Sequence, residues 1–190
     1  SMCDLIRAIR FTTKQEQGDL NMLVGGSQGD FARIIMAPRD TEEAFYITAR
    51  AFNLAEKYQT PVLLLSDTYL SEHFQTVDPV RFDAPIDRGK ILSSLNGKEY
   101  KRFLITEDGV SPRLIPGVPG GMYVSASDEH DESGIVISDV LAGLRSSLEI
   151  RNRIHAKRMR KLDVMRREDM RPPTLEGPRD AELTLLGWGS

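Results

Sequence analysis

The strongest constraint in this 190-residue sequence is a strand–helix–strand pattern packed into about 34 residues. Arg33 to Ala37 (RIIMA) is short and β-branched, and Pro38 breaks it. Asp40 with Glu43 has the reach of a helix-opening cap. From there the apolar positions run Ala44, Ile47, Ala51, Leu54, Ala55 and Tyr58, which predicts a helix with one buried face. Pro61 ends it. Val62 to Leu65 is apolar without alternation, the signature of a strand covered on both faces in a parallel sheet. Together these make a βαβ unit with an expected right-handed crossover, and the class is α/β.

The flanking sequence is less regular. Thr13 to Leu23 reads as a helix start, with Thr13 as cap and Glu16 three residues on. Between Glu72 and Gly97 the signal weakens, and Pro79 and Pro85 suggest an extended connection. Lys101 to Thr106 and Tyr123 to Ala126 read as short strands. Glu107 to Gly121, with its prolines and glycines, suits an ordered loop between them. Ser138 to Asp169 is the longest helical pattern, interrupted near Gly143 and stopped by Arg171-Pro172-Pro173. Glu182 to Gly187 (ELTLLG) reads as a buried strand running into Trp188-Gly189-Ser190, as an α/β domain opens. The expectation is a piece of a longer polypeptide; the alternative is that both ends pack on the middle.

Composition excludes several classes. Lys and Arg number 25 against 28 Asp and Glu, a net charge of −3, which argues against general nucleic-acid binding. With 40% hydrophobic residues the chain is not wholesale disordered. No apolar run approaches the roughly 18 residues of a membrane span. Ser1 to Arg10 lacks the order of a signal peptide. Cys3 is the single cysteine, so neither an internal disulfide nor a cysteine cluster site is available. The expected compartment is the cytoplasm.

Few residues suggest chemistry. Asp128-Glu129-His130-Asp131-Glu132 has the oxygen donors of a metal site, but consecutive spacing is not that of a calcium loop. The plain reading is a solvated acidic turn; the alternative for His130 is that it accepts or donates a fixed hydrogen bond. Glu149 to Arg167 is a basic helical stretch, read as a solvated amphipathic helix or one docking on an acidic partner before nucleic-acid binding. Gly25 to Gly29 resembles a phosphate loop only superficially and fits neither phosphate-binding motif. His73 and His155 are solitary, and Ser66 and Ser190 lack a nucleophile-elbow context. No complete active site emerges from these residues.

Taken in order, the motifs resemble the α subunits of 2-oxoacid:ferredoxin oxidoreductases, the 2-oxoglutarate branch most. Thr13 to Leu20 (TKQEQGDL) is similar to that family's PTKTEQGDL stretch, and Ala44 to Leu70 to the helix and strand that follow. Glu107 to Gly117 resembles its EDGVSPRxxPG loop, Asp128 to Glu132 its DEHDE segment, and Lys157 to Leu162 its KRMRKL helix. Gly177-Pro178 and Leu186 to Ser190 resemble the entry into its next domain.

The resemblance implies the second half of a thiamine-diphosphate pyrimidine-binding domain, a connecting segment and the first strand of a transketolase C-terminal-like domain. The corresponding divisions are an unassigned leader over 1–11, the partial pyrimidine-binding domain over 12–75, the connecting region over 76–180 and the truncated next domain over 181–190. It implies oxidative decarboxylation of a 2-oxoacid with coenzyme A, giving acyl-CoA and reduced ferredoxin. The implied cofactor is thiamine diphosphate with magnesium, shared with a β subunit that also holds an iron–sulfur cluster. Lys14, Glu16, Gln17 and Asp19 would lie nearest the active-site loop, although Glu16 serves equally as a helix cap. The family's YPITP-type and R-G-G-P-S-T-G stretches have no counterpart here, so no catalytic residue carries over and the isolated chain is expected to be inactive. No metal ligand is assigned. The alternatives are a non-catalytic scaffold that docks a β subunit or another acidic partner, and a small metal-binding module on DEHDE. Neither nucleic acid nor membrane is an expected partner.

Overall fold

The computed structural model describes residues 18–26, 28–78, 84–138 and 144–190. The chain divides into two units. One comprises Ser1–Ala55, Thr60–Ile86 and Pro172–Ser190; the other comprises Glu56–Gln59 and Asp87–Arg171.

In the first unit α1 (Asp19–Gly25) precedes β1 (Ile34–Met36), α2 (Thr41–Tyr58), β2 (Val62–Leu64) and α3 (Thr68–Glu72). Asp40 Oδ1 accepts the Glu43 N–H at 2.7 Å and starts α2. Glu43 reaches back as expected, but to the N–H of Arg39, one residue before the cap, at 2.9 Å. Gln59, in the left-handed region at φ 49°, ends the helix. β1 and β2 are parallel, with Ile34 opposite Val62 and Met36 opposite Leu64. The Ile34 N–H donates to Pro61 O at 3.1 Å and the Leu65 N–H to Met36 O at 2.8 Å, extending the ladder at both ends. The βαβ reading therefore holds. The cover on both faces does not: Leu64 remains 41% exposed. Ala32, Ile34, Pro38 and Leu54 are buried.

The second unit holds the last turn of α2, from Glu56, together with β3 (Ile91–Leu92), β4 (Arg113–Leu114) and α4 (Leu144–Glu168). β3 and β4 are parallel, with Ile91 opposite Arg113 and Leu92 opposite Leu114. Tyr58, Val110, Ile154, Val164 and Met165 are its buried hydrophobic side chains. The expected break near Gly143 lies outside the described residues.

The end of α4 is fastened to the last turn of α2. The Tyr58 hydroxyl donates to Asp169, and Lys57 Nζ lies 2.8 Å from Asp169 Oδ2 and 3.3 Å from Glu168 Oε2. Asp169, by its hydrogen bond, holds the Lys57 ammonium above the usual lysine range. Burial, then the bond to Asp169, push the Tyr58 phenol up. Tyr58→Phe is expected to cost about 1 kcal/mol in urea unfolding at pH 7; an unchanged midpoint would show that this bond adds nothing net.

Three expectations fail. Lys101 to Thr106 is not a strand. The Phe103 N–H donates to Glu132 O at 3.1 Å and the Ile105 N–H to Glu132 Oε1 at 2.7 Å, while Leu104 turns back to Lys101 O. One glutamate thus takes the donors that a ladder would need. Tyr123 to Ala126 is not a strand either; the nearby pairing is an isolated antiparallel bridge between His130 and Val136. Glu182 to Gly187 has no regular structure, and Leu183, Leu185 and Leu186 stand exposed. A strand needs a neighbour to pair its backbone, and none of the described strands pairs with this segment.

Candidate functional site

Parallel sheets place ligands at the carboxyl ends of their strands, because loops and helix starts converge there. Behind β1 that end carries Pro38, Arg39 and Asp40; behind β2 it carries Ser66 and Asp67. Asp40 starts α2 and also accepts from Arg39 Nε at 3.2 Å. Asp67 starts α3, with its Oδ1 accepting the Leu70 N–H at 2.8 Å. The same carboxylate takes the Ser190 N–H at 2.9 Å and the Ser190 hydroxyl at 2.7 Å. Gly189, at φ 82°, allows the chain to turn onto it. Ser66 and Ser71 hydroxyls lie 3.1 Å apart. Sequence reasoning missed Asp67, although an aspartate directly after a strand and before Thr68-Tyr69-Leu70 is a cap signal.

Of the residues expected near an active-site loop, Lys14, Glu16 and Gln17 lie outside the described residues, as does the Thr13 cap. Asp19 is half-buried in the first turn of α1, where a carboxylate is favoured by the helix dipole. The Gly25 to Gly29 stretch ends this helix: the Gly26 N–H returns to Met22 O at 2.6 Å.

In the second unit the acidic segment is not a solvated turn. Glu129 binds Arg158 through both carboxylate oxygens, at 2.8 and 3.2 Å. Asp131 Oδ1 accepts the N–H groups of Ser133 (2.8 Å) and Ile135 (3.1 Å). Glu132 organises residues 103 and 105, and His130 packs on Phe103 with ring centres 3.9 Å apart. The alternative for His130, a fixed hydrogen bond, is present, between Nδ1 and Asp131 O at 3.1 Å. Glu129, Asp131 and Glu132 are thus used separately while Asp128 stands exposed, and among the described residues no three metal-ligand side chains converge.

The hydrogen bond from Arg158 holds the Glu129 carboxyl below its usual range, against the opposing effect of burial. A carboxyl depressed in the folded state gives stability above about pH 4.5, its ordinary value, and loses it as pH falls through the lower folded value. Arg158→Met is therefore expected to flatten acid unfolding below that pH; an unaltered profile would remove Arg158 as the cause.

The basic helix also departs from the solvated reading. Lys157 is buried and donates to Phe103 O at 3.1 Å and to the Ser111 hydroxyl. Arg160 donates to Thr106 O (2.8 Å) and Lys161 to Gln59 O (3.0 Å). Lys157 and Arg160 thus hold the Glu107 to Arg113 loop onto α4, while Lys161 ties α4 to the end of α2. Lys90 pairs with Asp108 at the loop's other side. Burial would raise the Asp108 carboxyl, but Lys90 and the Val110 N–H outweigh it and hold it low.

Residues 2–147 match the family described as pyruvate flavodoxin/ferredoxin oxidoreductase, thiamine-diphosphate-binding. The chain is 34% identical over 183 residues to the α subunit of 2-oxoacid:ferredoxin oxidoreductase from Saccharolobus solfataricus, covering 94% of this chain and 27% of that protein. Over 124 residues it is 33% identical to the KorA subunit of 2-oxoglutarate synthase from Methanothermobacter thermautotrophicus, covering 64% of this chain and 32% of that protein. Among solved structures it is similar to 2-oxoglutarate:ferredoxin oxidoreductase from Magnetococcus marinus, which was determined with 2-oxoglutarate, coenzyme A and succinyl-CoA bound. There the TM-score is 0.68 at 32% identity, over 86% of this chain and 27% of that one. The chain thus spans about a quarter of the length of these 2-oxoacid:ferredoxin oxidoreductase α subunits.

Proposed function

This chain belongs to the pyruvate flavodoxin/ferredoxin oxidoreductase thiamine-diphosphate-binding family, and on that premise we propose that it forms part of the α subunit of a 2-oxoacid:ferredoxin oxidoreductase acting on 2-oxoglutarate. The observation that carries the reading is similarity to such α subunits over 94% of the chain. In this reading the whole enzyme decarboxylates the 2-oxoacid oxidatively, passes the acyl group to coenzyme A and the electrons to ferredoxin. Thiamine diphosphate, when bound, supplies the nucleophilic carbon and electron sink that this reaction needs; the protein orients it and excludes water.

The described residues do not make a cofactor site by themselves. Asp40 and Asp67, the carboxylates at the strand ends, serve as helix caps, so neither is offered as the group that engages the aminopyrimidine. The cofactor-side residues remain Lys14, Glu16, Gln17 and Asp19. The domain divisions at 12–75, 76–180 and 181–190, magnesium, the partner's iron–sulfur cluster and a cytoplasmic setting belong to the same proposal. No helix among the described residues is long and apolar enough to cross a membrane. A β subunit as partner is supported by exposed apolar side chains such as Phe52, 70% exposed, and Phe74, 96% exposed.

Isothermal titration of thiamine diphosphate with magnesium tests the reading, with the chain alone and with a matching β subunit. Saturable binding only in the presence of the β subunit is expected. A β subunit that binds without any cofactor heat would instead support the non-catalytic scaffold.

A further inference from the structure

The second unit contains a cavity of about 200 Å3 with an unusual charge balance. Arg102, His130, Lys157, Arg158 and Lys161 line it, and no carboxylate does. Glu129 answers Arg158. Among the described residues Lys157, Lys161 and Arg102 have no carboxylate partner; Lys157 and Lys161 donate to carbonyls and a hydroxyl, and Arg102 lies by the Phe103 ring. An ammonium has three donors and a guanidinium five. Lys157 uses two on the protein and Lys161 one, so donors remain for a ligand.

Buried charge without a counter-charge is costly, and the two lysines register it. Burial first, then repulsion from neighbouring cations, push Lys157 and Lys161 down to about 8. Lys157 feels Lys161, Arg102 and Arg158, opposed by Glu132; Lys161 feels Arg102 and Arg158, opposed by Asp108.

We propose that this cavity binds a phosphate group, held by Lys157, Lys161 and Arg102. A dianion offsets more of the surplus than a carboxylate does, and its several acceptor oxygens match the point donors of lysine and the fork of arginine. The group belongs either to inorganic phosphate or to a phosphomonoester.

Titration calorimetry of the 190-residue chain with inorganic phosphate at pH 7 and constant ionic strength, with chloride as control, tests this directly. Saturable phosphate binding is expected, at least tenfold tighter than acetate. Arg102→Met, which removes no hydrogen bond within the described residues, is expected to weaken binding at least tenfold; Arg166→Met, on α4 but outside the cavity lining, leaves it unchanged. Binding is also expected to fall as pH rises past 8 and the lysines discharge. Glycerol 2-phosphate separates the sources: tight binding assigns a phosphomonoester, exclusion assigns the free ion. Phosphate behaving like chloride, acetate binding equally well, or an unaffected Arg102→Met overturns the proposal.

Discussion

Gly109→Ala is expected to lower stability by roughly 3 kcal/mol or more, the range of a backbone clash in a packed interior. Gly109 sits at φ 77°, where a side chain is strained even with space around it. Here there is no space: a Cβ would strike the Lys157 carbonyl oxygen and lie 3.2 Å from Lys161 Cγ. Both obstacles are on α4, and the nearer is backbone, which cannot rotate away. The Glu107 to Arg113 loop would have to lift, taking with it the Lys157 bond to Ser111. Gly117→Ala is the control. Its φ is 97°, but nothing lies within 4 Å of the added atom, so only the conformational cost of about 1 kcal/mol should appear. Urea unfolding of the two variants reads the difference. Equal losses would mean that the loop does not press on α4.

The second large effect is a rise of stability with pH. Lys157 and Lys161 have folded pKa values lowered to about 8 from an ordinary 10.5. Below pH 8 both are charged in either state, and the burial penalty is present in full. Between pH 8 and 10.5 the unfolded chain binds more protons than the folded one, so stability rises with pH. Above that range the gain is complete. At about 1.4 kcal/mol per pH unit the ceiling is roughly 3 kcal/mol per lysine. Tyr58, with its raised phenol, acts oppositely above pH 10, so the quantity to read is the difference between the wild type and a Lys157→Met/Lys161→Met double variant. The wild type should gain stability relative to the variant across the window. Parallel curves would exclude the lysines. Saturating phosphate should flatten the wild-type rise, because a bound anion restores the lysines toward their ordinary pKa.

Local signals were legible where the chemistry is local. Asp40 and Glu43 announce α2, and the apolar spacing from Ala44 to Tyr58 gives its buried face. The long basic pattern after Ser138 gives α4. Misreadings arose where side chains replace a strand partner. Lys101 to Thr106 has the composition of a strand, but Glu132, some thirty residues away, takes its backbone donors. Ile91–Leu92 and Arg113–Leu114 pair across a gap of twenty residues, and neither segment has a pattern that names the other. Asp67 stands where a cap signal would, directly after a strand, but its hold on Ser190 joins residues 123 positions apart.

The order of motifs in the sequence, without coordinates, carried the family resemblance, the parallel βαβ unit and the two principal helices. Spacing along a chain encodes hydrophobic periodicity, caps and long ordered motifs directly. Only the tertiary structure decided which charges meet. DEHDE and the basic helix each looked solvent-facing, because a run of like charges read alone has no partner. Folded together, Glu129 neutralises Arg158, while Lys157, Lys161 and Arg102 face one cavity without a carboxylate. Coulombic interaction depends on distance through space and on burial, and neither is a property of position in the sequence.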